Sequence, residues 1–519
     1  MSGFPWLTTT LVLPLVGAVV VALLPKRDDR AGLPQKVALG FSLLTLAAIA
    51  AVAVQFNTSV PGYQFVENHV WIRSFGAHYA LGVDGIGLVL LLLTAVLAPV
   101  VILASWHDGD GGRWSPNAFF SLALALEGLA VGAFVSIDVF LFYVFFEAIL
   151  FPVYFLIGGF GGPRRSTAAV KFLVYSLLGG LLMLAAVIGL YVVSSHTVGG
   201  PTYYLPDLTR LHIGTVVGRW MFLGFFIAFA IKAPLFPLHT WLPDAVDQAT
   251  PGTSVLLVSI MDKIGTFGML RFCLGLFPEA SRWATPVVLV LAVISVIYGA
   301  LMAIGQNNIS RLVGYTSISH FGFIILGIFV LNTQGQTGST LYMFNHGLST
   351  AALFLVTGFL IKRRGSQLIT DYGGVEKVTP VLAGIFLVAG LSSLSLPGLS
   401  PFISEFLVLV GAFVHNVWYA IFAVTGIVLA ALYILLMYQC TMTGPTRPEV
   451  AGFKDLNVRE VVSLAPLLVL IVLLGFYPKP LTNVINPAVG ATLHHVGTHD
   501  PAPAVPASSA TGAEQENHQ

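Results

Sequence analysis

Long apolar runs, separated by short polar segments, repeat along almost the whole chain. A helix that crosses a bilayer core needs ~20 such residues, so each run predicts one membrane-spanning helix. The fourteen predicted spans lie roughly at 6–25, 36–55, 84–106, 117–135, 137–159, 168–194, 217–243, 250–277, 284–304, 308–331, 338–361, 378–414, 418–442 and 460–478. The run 378–414 is too long for one straight crossing and predicts a broken or tilted helix. Strands are not expected in these runs, because they lack the alternation of a membrane barrel.

Two segments outside the long runs differ in composition. Residues 56–83 contain Tyr63, Trp71 and Tyr79 and are expected to lie at the outer membrane interface, where aromatic side chains concentrate. The chain from Asn483 onward is rich in Pro, Ala and Ser and ends in polar residues, so it is predicted to be disordered. A flexible tail is favoured there over a metal site formed by its histidines, His494, His495 and His499.

The overall composition agrees with a membrane protein. Of 519 residues, 56% are hydrophobic and only 9% are charged, whereas a soluble domain carries ~25% charged residues. A soluble enzyme is therefore excluded. The chain has 24 Lys and Arg against 23 Asp and Glu, so it lacks the basic excess of a nucleic-acid-binding protein. The two cysteines, Cys273 and Cys440, are too few to ligate an iron–sulfur cluster, and no Walker A or Rossmann glycine pattern is present.

Lysine and arginine fall unevenly on the two sides of the predicted spans. The more basic side holds Lys26, Arg27, Arg30, Lys36, Arg113, Arg164, Arg165, Lys171, Arg311, Lys362, Arg363, Arg364, Lys377, Arg447, Lys454 and Arg459. The other side holds Arg73, Arg210, Arg219, Arg271, Arg282 and Lys479. Because basic loops stay in the cytoplasm, this bias predicts that both termini lie on the outer side.

Ionisable residues inside the spans are the candidates for function. A charge at the bilayer centre costs roughly 3 kcal/mol or more, so it is retained where it serves a purpose. The four candidate charges and the three histidines beside them are Glu147, Lys232, Lys263, Glu405, His239, His320 and His346. Asp84 and Asp138 lie near span ends and are interpreted as interfacial or helix-starting residues rather than relay groups.

Proline breaks adjoin two of these charges. Pro234 and Pro237 follow Lys232 and lack the N–H groups that a continuous helix needs. The pair Pro397-Gly398 similarly precedes Glu405. A broken helix beside a buried charge is typical of ion-handling transporters. The alternative is a kink that serves packing, with Lys232 held in a static ion pair.

The spacing of the charges indicates an internal duplication. Glu147 and Lys232 are 85 residues apart, as are His320 and Glu405, and the second pair follows the first by 173 residues. This shift spans five helices, and an odd number reverses orientation, so the repeats would be inverted. The prolines do not follow the same shift.

These patterns predict an all-α, polytopic membrane protein with about fourteen transmembrane helices. Two inverted five-helix repeats with broken helices would surround a polar central axis. The predicted parts are the N-terminal helices with the outer loop, two five-helix repeats, the first of which forms a proton half-channel, a C-terminal helix and the tail, at 1–116, 117–277, 284–442, 443–482 and 483–519.

The remaining candidates keep alternative interpretations. Lys263 lies near the middle of its span and could either exchange protons or extend to the interface. Its neighbour Asp262 points about 100° away on a helix, so the two do not simply pair. His320 and His346 are either structural histidines or relay groups, since the ordinary pKa of histidine lies near neutrality.

Several motifs together resemble the antiporter-like membrane subunits of respiratory complex I. They are Phe142-Tyr143-Val144-Phe145-Phe146-Glu147, Lys232-Ala233-Pro234, His239-Thr240-Trp241-Leu242-Pro243-Asp244-Ala245, Ser317-Ile318-Ser319-His320-Phe321-Gly322, Asn345-His346-Gly347-Leu348 and Leu396-Pro397-Gly398. The resemblance covers essentially all fourteen spans. It implies that Glu147, Lys232 and Lys263 form a proton path at the membrane midplane. A glutamate at position 405 distinguishes one type of subunit, because sister subunits and many antiporter subunits have lysine there.

The chain departs from the family pattern at three places. Val246 and Gln248 occupy positions where the family usually has histidine and glutamate, which weakens the case for proton uptake at that loop. Asp262 replaces a usually apolar neighbour of Lys263. Two residues before Glu405 replace usual glycines, namely Pro401 and Ser404.

The resulting hypothesis is a proton path driven by redox chemistry elsewhere. Glu147 tunes Lys232, which exchanges a proton with Lys263, and His320 and His346 relay it toward Glu405. The resemblance implies that FMN, iron–sulfur clusters and quinone belong to partner subunits of a bacterial plasma-membrane complex, with none of them in this chain. The expected partners are sister antiporter-like subunits, other membrane subunits and lipids, and not nucleic acid.

Two other functions remain open at this point. The chain could belong to a multi-subunit cation/proton antiporter or to a membrane-bound hydrogenase. Glu405 argues against the antiporter more than against the hydrogenase. Alternatively, it could be a structural scaffold whose buried charges only pair statically.

Overall fold

The computed structural model describes residues 3–25, 32–110, 114–196 and 200–500. The helices of the first half are α1 (Trp6–Leu23), α2 (Leu33–Gln55), α3 (Gly85–Ala104), α4 (Pro116–Val135), α5 (Val139–Ala148), α6 (Leu150–Phe160), α7 (Arg165–Ser195), α8 (Leu205–Leu208), α9 (Thr215–Lys232) and α10 (Trp241–Gln248). Those of the second half are α11 (Pro251–Val255), α12 (Asp262–Gly268), α13 (Leu274–Leu276), α14 (Pro278–Ile304), α15 (Ile309–Phe329), α16 (Thr333–Arg364), α17 (Pro380–Ser393), α18 (Ser400–His415), α19 (Val417–Met442), α20 (Val458–Phe476) and α21 (Lys479–Val496).

The helical pattern confirms the predicted all-α membrane fold. Within the described ranges, 13 helices are long and apolar enough to cross a membrane. The predicted span 378–414 is a pair of shorter apolar helices, α17 and α18, so the expectation of a broken helix there is confirmed. Two further spans are segmented: α5 and α6 share one, and two π-helical turns, Leu256–Met261 and Met269–Cys273, join α11, α12 and α13 into another.

Three spans form the centre of the molecule. The span Pro251–Leu276 and α15 are completely buried, and α16 is nearly so, whereas α2 buries only about a quarter of its residues. An apolar helix that is surrounded by other helices contributes polar residues to the protein interior rather than to lipid. The central spans carry Lys263, His320 and His346, so three candidate residues lie in the helices that are most enclosed.

The two interrupted helices have matching backbone hydrogen bonds. At the first break, the amide of Leu235 donates to the carbonyl of Ala230 at 3.0 Å, and at the second the amide of Leu396 donates to Leu391 at the same distance. These bonds coincide at a shift of 161 residues, which differs from the shift that relates the charges. Lys232 therefore ends the helix before its break, whereas Glu405 lies in the helix after its break. The inverted duplication itself stays a prediction.

The outer segment contains the part of the structure that the sequence did not predict. Strands β1 (Gln64–Ile72) and β2 (Ala77–Val83) form an antiparallel hairpin. The hairpin is fastened to helix ends: the backbone amide of Leu7 donates to Glu67 at 2.8 Å, and the amide of Ile137 donates to Ala80 at 3.0 Å. The expectation of no strands holds for the described long apolar runs but not for residues 56–83.

The prediction of a disordered tail from Asn483 is wrong for its first part. Residues up to Val496 belong to α21, whose buried face includes Leu481, Ile485 and Val489 at helical spacing. Composition alone missed this amphipathic pattern, which supplies apolar area for packing. A ring nitrogen of His495 lies 2.8 Å from the carbonyl oxygen of Gly275, and the described residues contain no group of three metal-ligand side chains. Residues 501–519 lie outside the described part.

The described basic residues fall on two faces of the bundle, as the loop assignment predicts. One face has ion pairs between Arg164 and Asp247, Lys171 and Asp244, Arg311 and Asp244, Lys362 and Asp108, and Arg363 and Glu460. The opposite face carries the hairpin, α21 and the ion pair of Arg271 with Asp84. Lys26, Arg27, Arg30 and Arg113 lie outside the described residues. The orientation of the termini stays a prediction.

Candidate functional site

Lys232 is held at the first helix break. It is the last residue of α9 and is 1% exposed. Its Nζ donates to the carbonyl oxygen of Phe146 at 2.7 Å and lies 3.7 Å from the centroid of that residue's ring. The indole Nε1 of Trp241 donates to the carbonyl of Ile231 at 2.9 Å and so satisfies a carbonyl that the break leaves without a helical partner. The break therefore places a lysine, with hydrogen bonds satisfied around it, inside the membrane region.

Glu147 lies near Lys232 without forming an ion pair. It is close to the end of α5, one residue after the carbonyl that Lys232 binds. Among the described residues its Oε1 has no hydrogen-bond partner, and no Lys232 nitrogen comes within 4.0 Å of its carboxylate. Its carboxylate fits against α7 because residue 180 is glycine: a Cβ there would lie only 1.7 Å from Oε1. The two groups still interact electrostatically across the gap.

Lys263 points into the centre of the bundle. It is completely buried in α12, directly after the π-helical turn, and donates to the carbonyl of Val258 at 2.8 Å. Its Nζ also lies 2.7 Å from Nδ1 of His346 and 4.8 Å from the ring centroid of Phe321. A π-helical turn is a frequent feature of functional sites because it re-aims side chains. The side chain is thus directed at a histidine and not toward the membrane interface.

A row of contacts leads from His346 to Glu405. The rings of His346 and His320 are perpendicular with centroids 5.2 Å apart, and His320 lies 5.8 Å from Tyr342. The hydroxyl of Tyr342 donates to Oε2 of Glu405 at 3.0 Å, and the hydroxyl of Ser395 donates to the same oxygen. The members from Lys263 to Glu405 are each at least 96% buried. We call Lys263, His346, His320, Tyr342 and Glu405 the buried row.

His239 stands apart from this row. It lies in the first break, is buried, and packs against the rings of Phe236 and Tyr298 at 5.8 and 4.9 Å. Neither ring nitrogen has a hydrogen-bond partner within the described part of the chain. The structure therefore brings His320, His346, Lys263 and Glu405 together but places His239 elsewhere in the break.

Asp84 and Asp138 are helix-starting residues, as interpreted from the sequence. Asp84 accepts from the amide of Gly87 at 2.9 Å, and Asp138 accepts from the amide of Leu141 at 2.9 Å. Asp138 also accepts from the amide of His78 in the hairpin at 2.9 Å. Burial raises the pKa of Asp138 to about 6, although its backbone hydrogen bonds favour the ionised form. Asp138 thus joins a helix start to the outer hairpin.

A polar cluster fastens α10 to its neighbours on the face opposite the hairpin. Asp244 pairs with Lys171 and with Arg311, both at 2.6 Å. Burial acts to raise the pKa of Asp244, but the two cations outweigh it and hold the pKa below its usual value. At the positions that depart from the family, the side chain of Val246 is buried and Gln248 accepts from the amide of Arg164 at 2.8 Å. Both residues therefore serve packing and loop contacts here.

Two buried carboxylates were not chosen from the sequence as candidate site residues. Glu127 of α4 is completely buried, and its only described contact is with the hydroxyl of Ser42 at 3.5 Å. Asp262 is also completely buried, and the described residues provide no hydrogen bond to either of its oxygens. The rule that an ionisable group inside a span indicates function would have found both. Tyr342 carries no charge, so no such signal marks it.

Known proteins resemble this chain over nearly its full length. Residues 136–430 match the family described as NADH:quinone oxidoreductase/Mrp antiporter, TM. The chain is 52% identical to NADH-quinone oxidoreductase subunit M of Mycobacterium tuberculosis (strain CDC 1551 / Oshkosh), with 97% of each chain covered. A chain of respiratory complex I from Thermus thermophilus with bound NADH is 31% identical and has a TM-score of 0.86, over 95% of this chain and 100% of that chain. A chain of the Mrp complex from Dietzia sp. DQ12-45-1b shares the fold at 21% identity, with a TM-score of 0.82 over 94% and 98% of the two chains.

Proposed function

This chain belongs to the NADH:quinone oxidoreductase/Mrp antiporter family of membrane proteins, and we propose that it moves protons through Lys232 and the buried row. It is an antiporter-like, proton-translocating membrane subunit of respiratory complex I, similar to subunit M. It is a multi-pass protein of the bacterial plasma membrane. The finer proposals concern which of its residues carry the proton.

The observation that carries the proposal is the continuity of the buried row. From Nζ of Lys263, successive polar side chains lead to the carboxylate of Glu405 through His346, His320 and Tyr342. Each of these groups can take up or release a proton, and each is removed from bulk water. Ionisable residues inside a membrane are costly and mark proton relays. A scaffold would need none of these groups at its centre.

The helix breaks account for the sign of the charge at each end. Lys232 is the C-terminal residue of α9, where the helix dipole is negative and favours a cation. Glu405 lies in the second turn of α18, nearer the positive end, which favours an anion. The breaks thus stabilise a lysine at one site and a glutamate at the other. Protonation of either group changes its interaction with the adjoining helix end.

Glu147 is proposed to tune Lys232 across a short gap. The carboxylate and the ammonium group interact electrostatically without touching, so a change in their separation alters how firmly Lys232 holds its proton. Moving one charge against ~150 mV costs about 3.5 kcal/mol. An interaction between opposite charges at ~4 Å is worth about 4 kcal/mol at an effective dielectric of ~20, which is the right scale to gate one proton.

His239 is proposed to pass protons between the face that carries Asp244 and Lys232. It lies in the break between the end of α9 and α10, whose Asp244 binds two cations of that face. Its ring nitrogens are not engaged by other described groups and remain able to exchange protons. We further propose that this face is cytoplasmic and that both termini are on the outer side.

Redox chemistry is assigned to partner subunits under this proposal. FMN, iron–sulfur clusters and quinone would reside there, and conformational or electrostatic coupling through the membrane would drive the row. The partners would be sister antiporter-like subunits and other membrane subunits of the complex, together with lipids. The relationship to the subunits named above supports this assignment.

The proposal is tested with the complex that contains this chain, reconstituted in vesicles. Lys232→Met keeps side-chain length and removes the exchangeable proton. We expect a complex that assembles and oxidises NADH but pumps fewer protons per electron. Glu127→Gln is the matched control, because it changes a buried group outside the row and should leave pumping unchanged. Normal pumping by an assembled Lys232→Met complex would show that the charges only pair statically.

A cation/proton antiporter or a hydrogenase subunit is the second candidate function. The shared fold with a chain of the Mrp complex makes it a reasonable comparison. Purification of this chain from its native membrane separates the cases. Co-purification with flavin- and cluster-bearing subunits and NADH activity supports complex I, whereas their absence together with sodium-dependent proton exchange supports the antiporter.

A further inference from the structure

Asp262 is a buried acid that the proposed path does not use. It is the first residue of α12, directly after a π-helical turn, and it is completely buried. Both carboxylate oxygens lack a hydrogen-bond partner among the described residues, and so does the nearby hydroxyl of Ser259. A buried carboxylate without partners is costly, so its retention calls for an explanation.

The position of α12 brings this acid close to the end of α9. Gly265 permits the approach, because a Cβ at that position would lie 2.6 Å from the carbonyl oxygen of Phe229 and 2.7 Å from the amide nitrogen of Ala233. These atoms flank Lys232 in the sequence. Helix α12 is therefore packed backbone to backbone against the segment that positions Lys232.

Asp262 and Lys263 point in different directions from this helix. Adjacent residues on a helix are separated by about 100°, and Lys263 is directed at His346. Asp262 interacts electrostatically with Lys263 and also with Lys232, although neither lysine lies within the 4.0 Å of an ion pair. It is thus an acid placed between two bases that have no direct contact with each other.

We propose that Asp262 carries the proton between Lys232 and Lys263, an inference that rests on the proposed function. In the first step the Lys232 ammonium loses a proton and the Asp262 carboxylate becomes a carboxylic acid. In the second step that acid gives the proton to neutral Lys263, which becomes an ammonium, and the carboxylate is restored. The steps conserve charge and need no co-reactant.

The test compares three variants of the assembled complex in vesicles. Asp262→Asn has the same shape but cannot carry a proton, and we expect proton pumping to fall about tenfold or more, as for loss of a general acid–base group. Asp262→Glu keeps the carboxyl group and should recover most of the rate. Glu127→Gln changes another completely buried carboxylate and should pump like the wild type.

Infrared difference spectra of the NADH-energised and resting complex provide a readout that a static role would not move. The wild type should show a carboxylic acid signal from Asp262, and Asp262→Glu should shift it. Identical spectra for wild type and Asp262→Glu would overturn the proposal even if Asp262→Asn failed to assemble. So would wild-type pumping by Asp262→Asn while Lys232→Met abolishes pumping. Normal pumping by Lys232→Met would instead contradict the proposed function itself.

Discussion

The Nζ of Lys263 lies 2.7 Å from Nδ1 of His346, and both groups are at least 99% buried. This contact joins the span that contains Lys263 to α16, and hence the first predicted repeat to the second. Because a lysine and a histidine compete for one proton at this distance, the pair forms an exchange point and not an ion pair. The predictions below follow from this junction and from the breaks that flank it.

Tyr342 should be required for transfer into Glu405. Tyr342→Phe removes the hydroxyl that donates to Oε2 of Glu405 and interrupts the polar contacts beyond His320. We expect proton pumping in vesicles to fall severalfold with little change in assembly. Tyr438→Phe is the matched control, since its hydroxyl binds only a backbone carbonyl outside the row, at 3.4 Å. Equal pumping rates for both variants would remove Tyr342 from the path.

Gly180 should matter through the space that it leaves for Glu147. In Gly180→Ala, the new Cβ would lie 1.7 Å from Oε1 of Glu147, so the carboxylate must move. We expect a lower proton-to-electron ratio, because the electrostatic interaction between Glu147 and Lys232 changes. Gly384→Ala adds the same methyl group to α17 with no atom within 4 Å. If both alanine variants pump equally, the position of Glu147 does not tune Lys232.

Trp241 should stabilise the first break. Trp241→Phe removes the indole N–H that donates to the carbonyl of Ile231, and leaves a buried carbonyl unsatisfied at a cost of ~1–3 kcal/mol. The expected result is a lower melting temperature of the purified complex. Trp418→Phe, at an exposed tryptophan on α19, should leave the melting temperature nearly unchanged. Equal stability of the two variants would argue against this role.

The pH dependence of stability should differ between Asp138 and Asp244. The folded pKa of Asp138, about 6, is above its ordinary value of 3.8, so the folded state binds its proton more tightly. The stability that this provides is present at low pH and is lost as the pH rises from about 4 to 7, by ~3 kcal/mol. Relative to Asp138→Asn, the wild-type complex should therefore lose stability over that range.

Asp244 provides the opposite case. Its pKa is held below the ordinary value, so its stabilising effect is fully present above about pH 4 and is lost only at lower pH. The difference in melting temperature between wild type and Asp244→Asn should be constant from about pH 5 to 8. A parallel pH dependence for the two asparagine variants would contradict the assignment.

The sequence was sufficient to predict the spans and most of the charged site. Runs of ~20 apolar residues identify membrane helices directly, because the bilayer sets their length. The cost of an internal charge then singles out Lys232, Lys263 and Glu405, all of which the structure places in buried positions near helix breaks or π-helical turns.

The contacts between these groups could not be predicted in the same way. Tyr342 joins the row through a neutral hydroxyl, and Lys232 is held by the carbonyl of Phe146, a backbone group that no residue type reveals. Equal spacing of charges indicated a shift of 173 residues, whereas the backbone bonds of the breaks match at 161. Spacing measures distance along the chain, and only the fold shows on which side of a break each charge lies.

The proton-to-electron ratio of a complex with Glu405→Gln tests the central claim most directly. Glutamine keeps the shape of Glu405 and its contact with Tyr342 but cannot take up a proton from the row. The account predicts an assembled complex that oxidises NADH and translocates fewer protons per electron than the wild type. An assembled Glu405→Gln complex with the wild-type ratio would contradict the claim that protons pass along the buried row.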